Sequence, residues 1–323
     1  MRIDRLLAVI GLFLLLALPA RAQGQSFPSK PIRVVVPFGP GGTGDLVARA
    51  IASKIGETLG YQVLIENKPG AGGAVAGQEV ARATPDGHTL LLISNGTAVS
   101  KALFKSLPYE PLNDFSMIST AAWFGLVIAT HPQSQANTVK EFIALAKASP
   151  GKMNIATINI GSTQNLAAEL FKSIAGIDAQ IVPYKTSGDV IVAAKNQDAH
   201  VIFDFFAPTL SHLKSGGLKP LAVTTAKRFP GLPDVPTAIE SGLPGFDVAS
   251  WNGFAAPAKT PRAVIDRLQQ AIAKAVAAPD VQKRFLELGV EGRSSTPEQL
   301  RDLFVSESRR WSAVVEAARI PKQ

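Results

Sequence analysis

Ile32-Arg33-Val34-Val35-Val36-Pro37-Phe38-Gly39-Pro40-Gly41-Gly42-Thr43-Gly44-Asp45 is the stretch that decides the fold. Ile32 to Val36 is apolar and β-branched, which predicts a short buried strand. Four glycines and two prolines then break the chain. From Asp45 the apolar residues fall at Leu46, Val47, Ala50, Ile51, Ile55 and Leu59, the spacing of a helix with one buried face. The unit is therefore strand, glycine-rich turn, helix N-terminus. Glycine lets a ligand approach the backbone because no Cβ intervenes. The first amides of a helix lack internal partners and carry partial positive charge. Such a turn suits an anion.

Gly39, Gly41 and Gly44 also spell G-x-G-x-x-G, and Glu66 follows about 20 residues on, where a ribose-binding acid would sit. Against a dinucleotide stand Pro40, which stiffens the turn, and an N-terminus that directs the chain away from the cytoplasm. No Gly-Lys-Ser/Thr follows, which excludes a P-loop.

Arg2 and Arg5 precede an apolar run from Leu6 to Leu18, broken by Pro19 and followed by Ala20-Arg21-Ala22. This is the pattern of a secretory signal peptide over residues 1–22, cleaved near Ala22, and the run is too short for a membrane span. No lipobox cysteine is present. The 323 residues include no cysteine, so disulfides and thiolate chemistry are excluded. The formal charge of +8 falls to about +6 once the leader is removed. Lys and Arg are scattered, with no basic stripe or stacking motif for nucleic acid.

Strands and helices alternate along the rest. Strands are predicted over 62–66, 89–93, 125–129, 153–158, 180–184, 200–205, 218–224 and 248–254. The segment 107–119 reads as looser. Pro69-Gly70-Ala71-Gly72-Gly73 and Ser94-Asn95-Gly96-Thr97 are further turns that open helices, so three consecutive strands end on one ligand-binding sheet edge. The opening pattern recurs in mid-chain. Met153 to Ile158 is a strand, Asn159-Ile160-Gly161-Ser162-Thr163 a turn, and Gln164 to Ala175 an amphipathic helix. Three helices finish the chain, over 261–278, 279–288 and 297–319, and are expected to return to the first sheet. The organisation is two α/β lobes: 23–124 with 226–323, and 125–225. Two crossings, near 122–126 and 222–228, join them.

These residues resemble a known family. Ser29-Lys30-Pro31-Ile32-Arg33, Val36-Pro37-Phe38, Pro40-Gly41-Gly42-Thr43 and Asp45 resemble the opening of the Bug (Bordetella uptake gene) family, solute receptors of tripartite tricarboxylate transporters. Glu66-Asn67-Lys68-Pro69-Gly70-Ala71-Gly72-Gly73 and Ala83-Thr84-Pro85-Asp86-Gly87-His88-Thr89-Leu90-Leu91 resemble its next two signatures. Val182-Pro183-Tyr184-Lys185, Leu221-Ala222-Val223-Thr224 and Leu232-Pro233-Asp234-Val235-Pro236-Thr237 continue in order. The resemblance implies an α/β type-II periplasmic binding protein whose ligand lies in a cleft between the lobes, its carboxylate held by turns from both, partly through ordered waters. Mapped here, the ligand-binding residues are Phe38, Gly41, Gly42, Thr43 and Asp45 from the first lobe, with Asn95 as an added contact. Gly161, Ser162, Thr163, Gln164 and Asn165 come from the second. The chain departs from the family pattern at Asn165, where His is frequent, at Thr186, where Gly is usual, and at Phe205, where Asn often follows Asp. Strand alternation sets Phe203 and Phe205 on one face, read chiefly as core, and Asp204 on the other, where it can receive a ligand amine or a bridging water.

Enzyme readings find little footing. Ser149-Pro150-Gly151-Lys152 is S-x-x-K, but its Ser ends a helix rather than opening one, and no Ser-Asp-Asn follows. His88, His131, His200 and His212 lie far apart, so no metal site is expected. No cofactor is called for. The expected function is capture of a small carboxylate, aromatic or dicarboxylic, for delivery to the permease subunits of a tripartite transporter, by a monomer closing on a hinge. A sensory subunit for a membrane kinase and an exported enzyme are the alternatives.

Overall fold

The computed structural model describes residues 27–322. The leader expected over 1–22 lies outside the described residues. None of the described helices is long and apolar enough to cross a membrane.

The opening unit forms as its pattern dictates. β1 spans Ile32–Val36 and α1 spans Thr43–Leu59, which buries Val47, Ala48, Ile51 and Ile55 and ends at Gly60 in the left-handed region. β2 (Val63–Asn67) and β3 (Thr89–Ser94) flank β1 in parallel. Between them lies α2 (Ala74–Ala81), and α3 (Asn95–Leu103) follows β3. β9 (Ala249–Pro257) then pairs antiparallel with β3, β4 (Phe115–Thr130) with β9, and the short β10 (Val290–Gly292) with β4. β1 and β3 are covered on both faces, so they are largely apolar on both sides, whereas the edge strand β2 is only partly buried. Val34, Val36, Leu90 and Leu92 meet α1 together with α8 (Arg262–Ala277) and α9 (Pro279–Glu287). Val35, Leu91 and Ile93 meet α2 and the start of α10 (Pro297–Ala317).

The second sheet has the order β8-β4-β7-β5-β6, with β5 (Asn154–Ile158), β6 (Gln180–Tyr184) and β7 (Val201–Phe205) parallel and β8 (Lys219–Val223) antiparallel to β4. Leu126, Ile128, Ile155 and Phe203 face α4 (Val139–Ala148) and α5 (Thr163–Ala175). Val127, Ala129, Ala156 and Ile202 face α6 (Ser187–Lys195) and α7 (Phe206–Lys214).

Three expectations change. β4 begins at Phe115, ten residues before the predicted strand, and takes in part of the segment read as loose. It is buried on both faces, so it shows no alternation, and two register shifts interrupt its pairing near Ser119 and Thr120. At 16 residues it reaches about 50 Å, enough to serve both sheets. It leaves Ala249 at Gly125 and takes Phe205 at Leu126.

The second crossing also moves. After β8 the chain stays with the second sheet, where Ala238, Leu243 and Phe246 are buried and Phe246 packs on Phe171 and Phe203. It returns only at Val248–Ala249. Thr224 marks the junction, because its hydroxyl donates to Val248 O at 2.6 Å and accepts from Leu126 N at 3.0 Å.

The last correction concerns α10. Leu300 and Phe304 sit on the first sheet beside Trp251, while Trp311 and Val315 lie in the core of the second beside Phe142 and Phe171. A 21-residue helix is about 30 Å long, so one element reaches both lobes.

Candidate functional site

The two glycine-rich turns share one construction. Gly41 takes φ +79° and its N–H donates to Asp45 Oδ2 at 2.9 Å. Gly161 takes φ +82° and its N–H donates to Asn165 Oδ1 at 3.1 Å. Each glycine opens the spacing Gly-x-Thr-x-Asp/Asn: Gly41-Gly42-Thr43-Gly44-Asp45 and Gly161-Ser162-Thr163-Gln164-Asn165. Both turns therefore bend left-handed at glycine and are pinned by a side chain four residues on. Gly161 is doubly constrained, since a Cβ there would meet Leu103 Cδ1 at 2.3 Å.

Asp45 is buried and fully engaged. Arg49 Nε reaches its Oδ2 at 3.0 Å, and Asn67 Nδ2 reaches its Oδ1 at 2.9 Å and Phe38 O at 3.0 Å. Burial alone would push its carboxyl up, but the hydrogen bonds from Arg49, Gly41 and Asn67 together hold it below the usual range. Asp45 thus organises the turn from behind. Asp45→Ala should cost about 1–3 kcal/mol, because it leaves the Gly41 and Asn67 donors without this acceptor. Urea unfolding checks this, and a loss below about 0.5 kcal/mol, the scale of an ordinary surface change, would remove the role.

α1 has Gly42 as its N-cap, and among the described residues no side chain caps its first-turn amides by a hydrogen bond. The Phe38 ring lies where a Cβ on Gly44 would be, 2.7 Å from Cδ2, which only glycine permits. α5 is capped by Ser162, whose Oγ accepts from Asn165 N at 3.1 Å. Among the described residues no hydrogen bond joins one turn to the other. The lobes meet instead through Thr163. Its hydroxyl lies 2.9 Å from Ser250 Oγ and accepts from Asn95 Nδ2 at 3.3 Å, while the same amide donates to Ala249 O.

Behind the second turn lies Asp204, fully buried at the end of β7. Its Oδ1 accepts from Gln164 Nε2 at 3.1 Å, Ser187 Oγ at 3.0 Å and Phe205 N at 2.8 Å. Its Oδ2 has no partner among the described residues. Thr43 Oγ1, Asn95 Oδ1 and Asn252 Oδ1 are likewise buried without partners there. Phe203 is core, edge-on to Phe171, and Phe205 is half-buried, edge-on to Phe124 at 4.7 Å. Glu66 pairs with Arg33 at 2.6 Å and Lys68 at 3.0 Å, which leaves nothing to the ribose reading.

The family profile described as "Tripartite tricarboxylate transporter family receptor" matches residues 47–320. The chain belongs to this receptor family. Its fold agrees with three solved structures. One, the periplasmic binding protein BugD, is 33% identical with a TM-score of 0.85, over 92% of this chain and 100% of that one. A protein of R. palustris solved with adipate is 30% identical with a TM-score of 0.87, over 92% and 100% of the two chains. MatC from Rhodopseudomonas palustris, solved with bound malate, is 33% identical with a TM-score of 0.82, over 90% and 100%.

Within this receptor the structure brings Asn95 and Thr163 together, and joins Gln164 to Asp204. It keeps Gly41 to Asp45 as a separate cradle. Asn67, Arg49, Ser187 and Ser250 escape a reading of the sequence. The repeated Gly-x-Thr-x-Asp/Asn spacing is the signal that exposes the pinning side chains. Ser250 has a weaker one, a small polar residue beside Trp251 in an apolar strand.

Proposed function

We propose that the protein captures a small organic acid between its two lobes, outside the cytoplasm, and delivers it to membrane permease subunits. One carboxylate is held by the first-turn amides of α1 and α5 and by nearby hydroxyls, with no arginine needed. What supports this reading is the pair of matched turns, one from each sheet, together with the Asn95–Thr163–Ser250 contact that joins the second turn to the first lobe. The unpartnered Thr43 hydroxyl and Asn95 carbonyl supply further polar groups for the ligand or its waters. Adipate and malate in two relatives support a carboxylate as the guest. The family is one of receptors, which supports binding without turnover. Hinge motion at Gly125–Leu126 and Val248–Ala249 would open and close the lobes.

Thr43→Pro tests the amide cradle. Thr43 is the first residue of α1, where proline is well tolerated, and Gly42 has φ −73° and ψ 164°, which suits a residue before proline. The change deletes one N–H and leaves the helix in place. Affinity for a bound carboxylate should fall about tenfold or more by calorimetry, the scale of one charge-assisted hydrogen bond. Thr43→Val, which keeps the amide, separates out the hydroxyl. Unchanged affinity in Thr43→Pro would refute the cradle.

A further inference from the structure

The two buried aspartates that tie the βα turns of each lobe are not equivalent. Asp45 uses both oxygens and pairs with Arg49. Asp204 is more deeply buried, yet uses one oxygen for three donors and leaves the other with none. Among the described residues no charged side chain acts on it, and burial pushes its carboxyl up to about 6. An unpaired buried carboxylate oxygen is costly and demands a donor.

Asp204 also stands where a ligand-facing group belongs. It is the fourth residue of β7, and α7 starts at Phe206. Parallel β5, β6 and β7 all end at this edge, and α5 and α6 start there. Gln164, its neighbour, follows the Thr163 that meets the first lobe.

We infer that Asp204 Oδ2 is a second recognition point, which takes a hydrogen-bond donor at the far end of the ligand. This rests on the carboxylate reading above and narrows it: the preferred guest is a carboxylate ending in a hydroxyl or ammonium group. The polar neighbours of Asp204, the Gln164 amide, the Ser187 hydroxyl and the Phe205 N–H, already point at Oδ1. A second ligand carboxylate would bring an acceptor to an acceptor, with no cation between them.

The test is calorimetry at pH 7.5 on the purified protein with two matched series. The four-carbon series is butyrate, 4-hydroxybutyrate, 4-aminobutyrate and succinate. The six-carbon series is hexanoate, 6-hydroxyhexanoate, 6-aminohexanoate and adipate. At the better length, a hydroxyl- or amino-ended acid should bind at least about tenfold tighter than the methyl- or carboxyl-ended one. Asp204→Asn should shrink that ratio to about threefold or less, a change of selectivity that a purely structural role would not produce. A dicarboxylate that binds as well as the donor-ended acids overturns the inference, whether or not the variant folds. So does an unchanged ratio in Asp204→Asn. Equal binding of all eight acids sinks this inference alone, whereas no binding by any of them sinks the carboxylate reading as well.

Discussion

Trp311→Ala should lower the stability of the protein by about 3–5 kcal/mol, the usual cost of emptying a large aromatic site in a packed core. Trp311 is fully buried in the cluster that holds Val99, Phe142, Phe171, Phe203 and Phe246. Its indole N–H donates to Glu307 Oε2 at 2.7 Å, and the Arg310 guanidinium lies 5.0 Å from the ring. The substitution therefore removes apolar contact and leaves a shielded carboxylate without its donor. Position makes the outcome more specific than the magnitude. Trp311 anchors one end of α10 in the second lobe, and Phe304 anchors the other end against Trp251 of the first. Loss of Trp311 should raise amide exchange in α5 and the last turns of α10, while amides near Leu300 stay protected. Phe304→Ala should do the reverse. If both variants loosen α10 uniformly, or if Trp311→Ala costs under about 1.5 kcal/mol, the helix does not brace the two lobes independently.

That bracing is not legible in the sequence. A helix pattern shows which face is apolar but not what covers it, and the apolar positions of α10 look alike from Leu300 to Val315. β1, its turn and α1 are legible because the change from a strand run to a 3.6-residue period is local. β4 is half hidden for the opposite reason: Ser119, Thr120 and the small Ala121 and Ala122 are buried on both faces, so neither alternation nor a strong apolar run marks them. The site divides in the same way. Glycine-rich turns opening helices are visible in the chain itself. The partners of Thr163, Asn95 and Ser250, are 68 and 87 residues away, and nothing local announces them. The family signatures place the turns, but only the fold shows that Asp45 and Asn165 face their own glycines.

Asp204→Asn should change the pH dependence of stability in a definite sense. The folded-state value is raised to about 6 from the ordinary 3.8, so the folded protein holds this proton more tightly than the unfolded chain does. The favourable contribution is complete below about pH 4 and is lost as pH rises through about 6. A displacement of that size corresponds to on the order of 3 kcal/mol by pH 7 and above. The introduced amide mimics the protonated acid, since its carbonyl can keep the Gln164, Ser187 and Phe205 donors on one oxygen. The variant should then melt higher than the parent at pH 7.5 and converge with it near pH 4. Taking the difference between the two melting curves removes other groups. Glu169, also raised by burial, stays in both proteins. Asp45, held low, contributes stability above its unfolded value and loses it only under stronger acid, outside this window. A variant that melts well below the parent at pH 7.5 would mean that ionised Asp204 stabilises the ligand-free fold, and its second oxygen would then need a partner within the protein. A higher melting point would instead identify a residue kept at a cost to folding, which is what a recognition group in a buried site requires.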